Sequence, residues 1–401
     1  MVAHFAGRLG ALIACALGAT ASDAACTAAN TYNFAFAGQA NATLNYANSY
    51  NYTASNTLGA TQGFTVGFAT NGLSSSQVSG LQMPSIGTTF TSGTGAKTLQ
   101  IGGIFSGRTT TITSTTRVIR TTFTFATPIR DLTLTVHDID YANNQYRDWL
   151  QVEGANGAST YAPSMITPFN TNNTTAGPHV ATASSSVALG VYNGNGVNLT
   201  TADQAAGIGA SNNTNTTVGD ITISFVQPVT SVTLRYGNYP YGSGENTTGQ
   251  QAFGISALSF CPLPNLTSST KTSAPFATSG PDRFNAPLSD IVYTLTINNS
   301  GGSPVDLAGM TLVDALPANM TFYNSDFDPA LPGTEPFFLT AGSSGVTLTA
   351  ANVAYSNNGG ASYAYTPATG YDANVNRIRI SPGGTLAANS SFNIKFRARI
   401  K

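Results

Sequence analysis

The final residues of the chain constrain it most. Phe392, Ile394, Phe396, Ala398 and Ile400 alternate without a break against Asn393, Lys395, Arg397, Arg399 and Lys401. Only an extended strand sends successive side chains to opposite faces, so this segment is a strand with one face in a core. The same period of two recurs along the chain: Phe64, Val66 and Phe68; Phe123 and Phe125; Leu132, Leu134 and Val136; Ile221, Ile223 and Phe225; Val232, Leu234 and Tyr236; Ile291, Tyr293, Leu295 and Ile297. No long stretch carries helical spacing. The expected fold class is all-β.

The pattern breaks once in a way that marks a boundary. Pro262-Leu-Pro264 and the Ser/Thr run Ser268 to Ser273 can bury little, so residues 263–269 are expected to form an exposed linker. Residues 26–262, with Asn/Gly-rich segments such as 170–175 and 193–196 between strands, read as one jelly-roll-like β-sandwich with long loops. Residues 270–401 read as a second β-domain. The basic face of its last strand is either an electrostatic docking stripe or a solvated face that discourages edge-to-edge pairing.

Residues 1–25 have the form of a secretory signal peptide. Arg8 is followed by the apolar run Leu9 to Leu17 and then by Ala19-Thr-Ala21 and Ser22-Asp-Ala24 as cleavage sites. The apolar run is too short to span a bilayer, which takes roughly 20 residues. The mature chain is therefore expected to be exported, secreted or held at the cell surface, with no membrane span. Cys26 and Cys261 then remain, bracketing the first domain, and in an oxidising compartment they are expected to form a disulfide.

Charge excludes one class of partner. Charged residues make up 8% of the chain, against about 25% in an ordinary soluble domain, and the net charge is -1. No field exists to gather nucleic acid.

Asp290 to Tyr323 adds a resemblance. Tyr293-Thr-Leu-Thr-Ile-Asn-Asn-Ser-Gly301, followed by Leu312-Val-Asp-Ala-Leu-Pro-Ala-Asn-Met-Thr-Phe322, resembles the conserved-repeat immunoglobulin-like domain of bacterial surface proteins. That resemblance covers the last third of the chain. It implies an immunoglobulin-like sandwich at 270–401 and an exported setting, and it names no ligand.

Chemistry concentrates in the hairpin Leu132 to Glu153, LTLTVHDIDYANNQYRDWLQVE. If its strand stays regular, Asp138 and Asp140 continue the inward parity of Leu132, Leu134 and Val136, and buried carboxylates need partners. Calcium held by Asp138, Asp140, Asn143, Asn144 and Asp148 is one candidate. Pairing with Arg147 is a second, and capping of turn amides is a third. Asp-x-Asp at a strand end with Asp-Trp opening the next strand loosely resembles hairpins of bacterial jelly-roll-like surface modules. Tyr141, Tyr146, Trp149, Tyr239 and Tyr241 would form an aromatic platform for a sugar, although a lone tryptophan in a sandwich also serves as core.

Catalytic groups are harder to assemble. His137 and His179 lack zinc-site spacing, no Gly-x-Ser-x-Gly elbow occurs, and only Asp138 or Asp140 with Asp148 would offer a glycosidase pair. The chain is expected to be a non-catalytic binding or adhesion module, for a glycan or a surface protein, with an immunoglobulin-like spacer. The alternative is a structural component of an extracellular layer.

Overall fold

The computed structural model describes residues 26, 28–91, 95–107, 116–142, 145–167, 180–182, 191, 192, 195, 196, 199, 203–207, 217–239, 249–266, 269–327 and 335–401. The signal segment 1–25 lies outside them. The chain is all-β: among the described residues, helix is confined to four three-residue 3-10 turns. No helix among them is long and apolar enough to cross a membrane. Two compact units divide at Pro262/Leu263.

The first unit is organised by one strand of 20 residues, Val118–His137. Its first half pairs with Thr61–Asn71, where Phe123 faces Val66, and with Val229–Asn238, where Phe123 faces Val232. Its second half changes partners, to Gln250–Pro262 and Ile221–Phe225, with Leu134 opposite both Leu258 and Ile223. The sequence pattern reads as two strands here. The backbone instead runs on through irregular register between Thr124 and Ile129, and Asp131 takes a positive φ of 51°. Such a bulge bends and twists a strand so that it can serve two sheets.

The two sets of strands bury a common aromatic core. Phe125 meets Phe260 at 5.0 Å, Phe34 meets Phe64 at 5.1 Å, and Tyr236 meets Phe253 at 4.5 Å between ring centroids. This is sandwich-like packing, with inward residues of both sets of strands in contact. Tyr32–Ala35 pairs with the end of Gln250–Pro262, Tyr32 opposite Phe260. Beside that pair the Cys26–Cys261 disulfide joins the unit's ends across 235 residues, with its Cα atoms 6.2 Å apart.

In the second unit Ser390–Ile400 is a central strand. It pairs along its length with Asp290–Asn299, and on its other side with Met320–Asn324 and Phe337–Thr340. Phe392, Ile394, Phe396 and Ala398 are fully buried, so the parity read from the sequence holds. Strands Leu312–Ala315, Arg377–Ile380 and Val353–Ser356 form a second sheet, and Leu312, Ile378 and Ile380 share the core.

Two details depart from expectation. The two arginines of the basic face are neither solvated nor free. Arg397 and Arg399 both donate to the fully buried Asp290 carboxylate, and Tyr371 donates to its Oδ2 at 2.6 Å. The segment 263–266, expected to be exposed, is fastened to the second unit. The Asn265 N–H donates to Asn299 Oδ1 at 3.0 Å, the Ser300 N–H donates to the Asn265 carbonyl at 2.9 Å, and Leu266 packs on the core.

Candidate functional site: a buried carboxylate and tyrosine cluster

Two elements bring the acids of the hairpin together. Regular strand geometry ends at His137, because Asp138 adopts a positive φ of 67° and resets the parity. Ile139 then points into the core, fully buried, while Asp138 stays half-buried and Asp140 is buried. The Ile139 N–H donates to the Gly219 carbonyl at 3.2 Å, which fixes the turn. The inward stripe of the sequence therefore does not pass through Asp138.

Tyr146–Asn156 returns beside it. Leu150 and Val152 face the core, and Asp148, of the same parity, carries its carboxylate to the end of that core. The Asp140 N–H donates to Asp148 Oδ2 at 3.0 Å, and the Asp148 N–H donates to the Asp140 carbonyl at 3.0 Å. Tyr236 Oη donates to Asp148 Oδ1 at 2.5 Å, with Gln251 Nε2 at 3.4 Å from the same oxygen. Tyr146 Oη donates to Asp140 Oδ1 at 2.7 Å. Asp140, Asp148 and Gln251 are each 2% exposed or less. Hydroxyl, amide and backbone donors thus reach the Asp148 carboxylate, none of them an amide of the Tyr141 to Tyr146 loop.

Burial pushes the Asp148 carboxyl well up from its ordinary range, and the Asp140 charge beside it pushes the same way, against the Tyr236 hydrogen bond. Asp138 is raised to about 8 by desolvation, then by Asp140 and Asp220. Both acids favour the proton.

Arg147 is almost fully buried. Its guanidinium lies 3.9 Å over the Tyr141 ring and donates to the Gly207 carbonyl at 2.6 Å. Its backbone N–H donates to Asn238 Oδ1 at 3.0 Å. Gly207 is required here, since a Cβ would lie 1.9 Å from the Asp140 carbonyl oxygen.

The aromatic platform is corrected. Trp149 is fully buried and Tyr239 is 4% exposed, so neither offers a face to a ligand from solvent. One face of Tyr141 is taken by Arg147, and the Tyr146 hydroxyl is held by Asp140. Tyr241, Asn143, Asn144 and His179 lie outside the described residues. Among the described residues no group of three or more His, Cys, Asp or Glu side chains is arranged to hold a metal ion.

The reading of the residues missed one partner. His137 Nδ1 lies 2.7 Å from Asp220 Oδ1, while its buried Nε2 has no hydrogen-bond partner. Asp220 stands 83 residues away, and its place just before the alternating Ile221, Ile223 and Phe225 was the available signal: that strand pairs with Leu132 to Val136.

No protein-family model matches this chain, and no curated protein matches it.

Proposed function

We propose that the chain is an exported surface protein that binds a glycan or a surface protein through its first unit, a jelly-roll-like sandwich. In this reading the second unit is an immunoglobulin-like spacer of the conserved-repeat kind. The observation that carries it is the Cys26–Cys261 disulfide, which closes almost the whole first unit. Disulfides of this structural kind persist in oxidising compartments, which fits the signal-like start of the chain. The low charge fits as well, because adhesion through hydroxyl- and amide-rich surfaces needs no steering field. The buried acid cluster then serves as a fastening that holds the paired segments 141–142 and 146–147 on a rigid scaffold, the arrangement on which binding loops depend.

Residues 26–401, purified oxidised, test this reading on arrays of glycans and of surface proteins, with size-exclusion chromatography alongside. A saturable, specific ligand is the expected result. Self-assembly into sheets with no ligand would replace the reading with that of a layer component, and free thiols in peptide mapping of the exported protein would remove its support.

A further inference from the structure

We propose that a groove of the first unit, separate from the carboxylate cluster, is the binding site for a neutral oligosaccharide. The proposal rests on the binding reading above and names its ligand class. The groove is a depression open to solvent, of about 740 Å³, lined by residues of three segments, 43–46, 70–77 and 82–83. That volume lies in the range of roughly 300–1,000 Å³ typical of small-molecule sites.

The lining has a particular chemistry. Thr43, Asn45, Thr70, Ser74, Ser75, Ser76, Gln77 and Gln82 supply hydroxyls and amides, Leu44, Tyr46 and Leu73 supply apolar surface, and no charged residue takes part. An ionic ligand would find no opposite charge there. A sugar matches both kinds of surface: its hydroxyls exchange hydrogen bonds with amides and hydroxyls, and its C–H faces lie on apolar or aromatic side chains.

The framework is built and held. Tyr46 Oη donates to the Gly102 carbonyl at 2.8 Å and accepts the Gly102 N–H at 2.9 Å. Gln82 Nε2 donates to Ser76 Oγ at 2.6 Å and to the Met83 carbonyl at 2.8 Å. The Leu44 N–H donates to the Pro84 carbonyl and the Met83 N–H to the Ser76 carbonyl, each at 2.8 Å, so the three segments are stitched to one another. The side chains of Thr43, Thr70 and Gln77 are not used in this stitching and remain for a ligand. Binding therefore orders few groups, which is where affinity for small ligands is usually lost.

The test is an array of neutral and acidic oligosaccharides, followed by calorimetric titration of the best neutral hit into the oxidised protein and two variants. Thr43→Ala/Gln77→Ala removes two groove groups and is expected to weaken binding about tenfold or more. Leu58→Ala, on an exposed hairpin tip (77% exposed), is expected to leave it unchanged. Binding should persist at raised salt, because no ion pair contributes. A neutral glycan bound equally by the groove variant overturns the groove and leaves the binding reading intact. Capture of a protein ligand with no glycan bound overturns the glycan class and spares the reading. Preference for acidic glycans that fades with salt overturns the proposal, and assembly into sheets without any ligand sinks both.

Discussion

The two units bury acids in opposite ways. In the first, Asp148 sits at the end of the core among donors that are hydroxyls, amides and a backbone N–H, with the Asp140 charge next to it, and its carboxyl is driven toward the protonated form. In the second, burial likewise pushes Asp290 upward, but hydrogen bonds from Arg399, Tyr371 and Arg397 outweigh it and the carboxyl ends below its ordinary range. The charge of the donors decides the direction: three neutral ones do not offset burial at Asp148, whereas two arginines and a tyrosine do at Asp290. Lys271, one cation at 2.6 and 2.9 Å from the two oxygens of Asp314, does not overcome desolvation there, and that carboxyl stays raised. The lesson is that burial sets the demand and the partner set determines whether charge survives.

The largest expected difference comes from covalent closure, which the first unit has and the second lacks among the described residues. On the chain-entropy model a loop of 235 residues contributes about 5 kcal/mol, an upper figure. Cys26→Ser with Cys261→Ser should lower the first calorimetric transition steeply and leave the second in place. Equal shifts in both transitions would show that the units do not melt separately.

Next in size is Arg397→Ala. Phe276 and Tyr323 lie 4.0 and 4.5 Å from this guanidinium, and Asp290 beneath it is fully buried. Stripping a buried charge of all its partners costs about 3–5 kcal/mol; with Arg399 and Tyr371 still on Asp290 the loss should be about 2 kcal/mol, above the roughly 0.5 kcal/mol of a surface change. Denaturant titration of the second transition checks it, and a loss under about 1 kcal/mol would make the face solvated after all.

Much of this contrast was hidden from sequence reasoning, for identifiable reasons. Parity was legible wherever a strand stayed regular, as from Phe392 to Ala398, because period two is a local property. Disulfide pairing was legible because only two cysteines remain after residue 25. The strand Val118–His137 was not legible as one element, since Pro128 and the positive φ of Asp131 look like a stop until the bulge is seen. Asp138 likewise turns by a positive φ that no alternation announces. The ion pairs of Asp290 lie 107 and 109 residues away in sequence, beyond any local signal.

pH should separate Asp138 from Asp290 by sign. Asp138 has a folded value of about 8 against 3.8 unfolded, so the folded state binds more protons between them. Its contribution is fully present below about 4 and is lost as pH rises through about 8. Asp290 is depressed, so its contribution is present above 3.8 and is lost as pH falls below that value. The first transition should drop between pH 5 and 8.5, and the second between pH 4 and 2. Asp138→Asn should reduce the alkaline loss of the first transition, with Asp148 contributing the rest, and should leave the second profile unchanged. An alkaline loss that Asp138→Asn leaves undiminished would assign the effect elsewhere.

The smallest expected effect is the most diagnostic one. Asp148→Asn keeps the shape of a carboxyl that already prefers its proton, so little charge interaction is lost. Its oxygen can accept the Asp140 N–H, and its amide can donate to Tyr236 Oη. Gln251 Oε1, buried and without a partner, becomes an acceptor for that amide once the Gln251 side chain flips. The cost should stay within about 1 kcal/mol, the scale of one rearranged hydrogen bond, whereas Asp290→Asn leaves two arginines without their anion and should cost several times more. EDTA should leave the first transition where it is, because protein donors already fill the Asp148 oxygens. A loss above about 3 kcal/mol for Asp148→Asn, or an EDTA-sensitive melt that this substitution abolishes, would mean that Asp148 is ionised and opposed by a cation. In that case the two units would bury their acids by the same device.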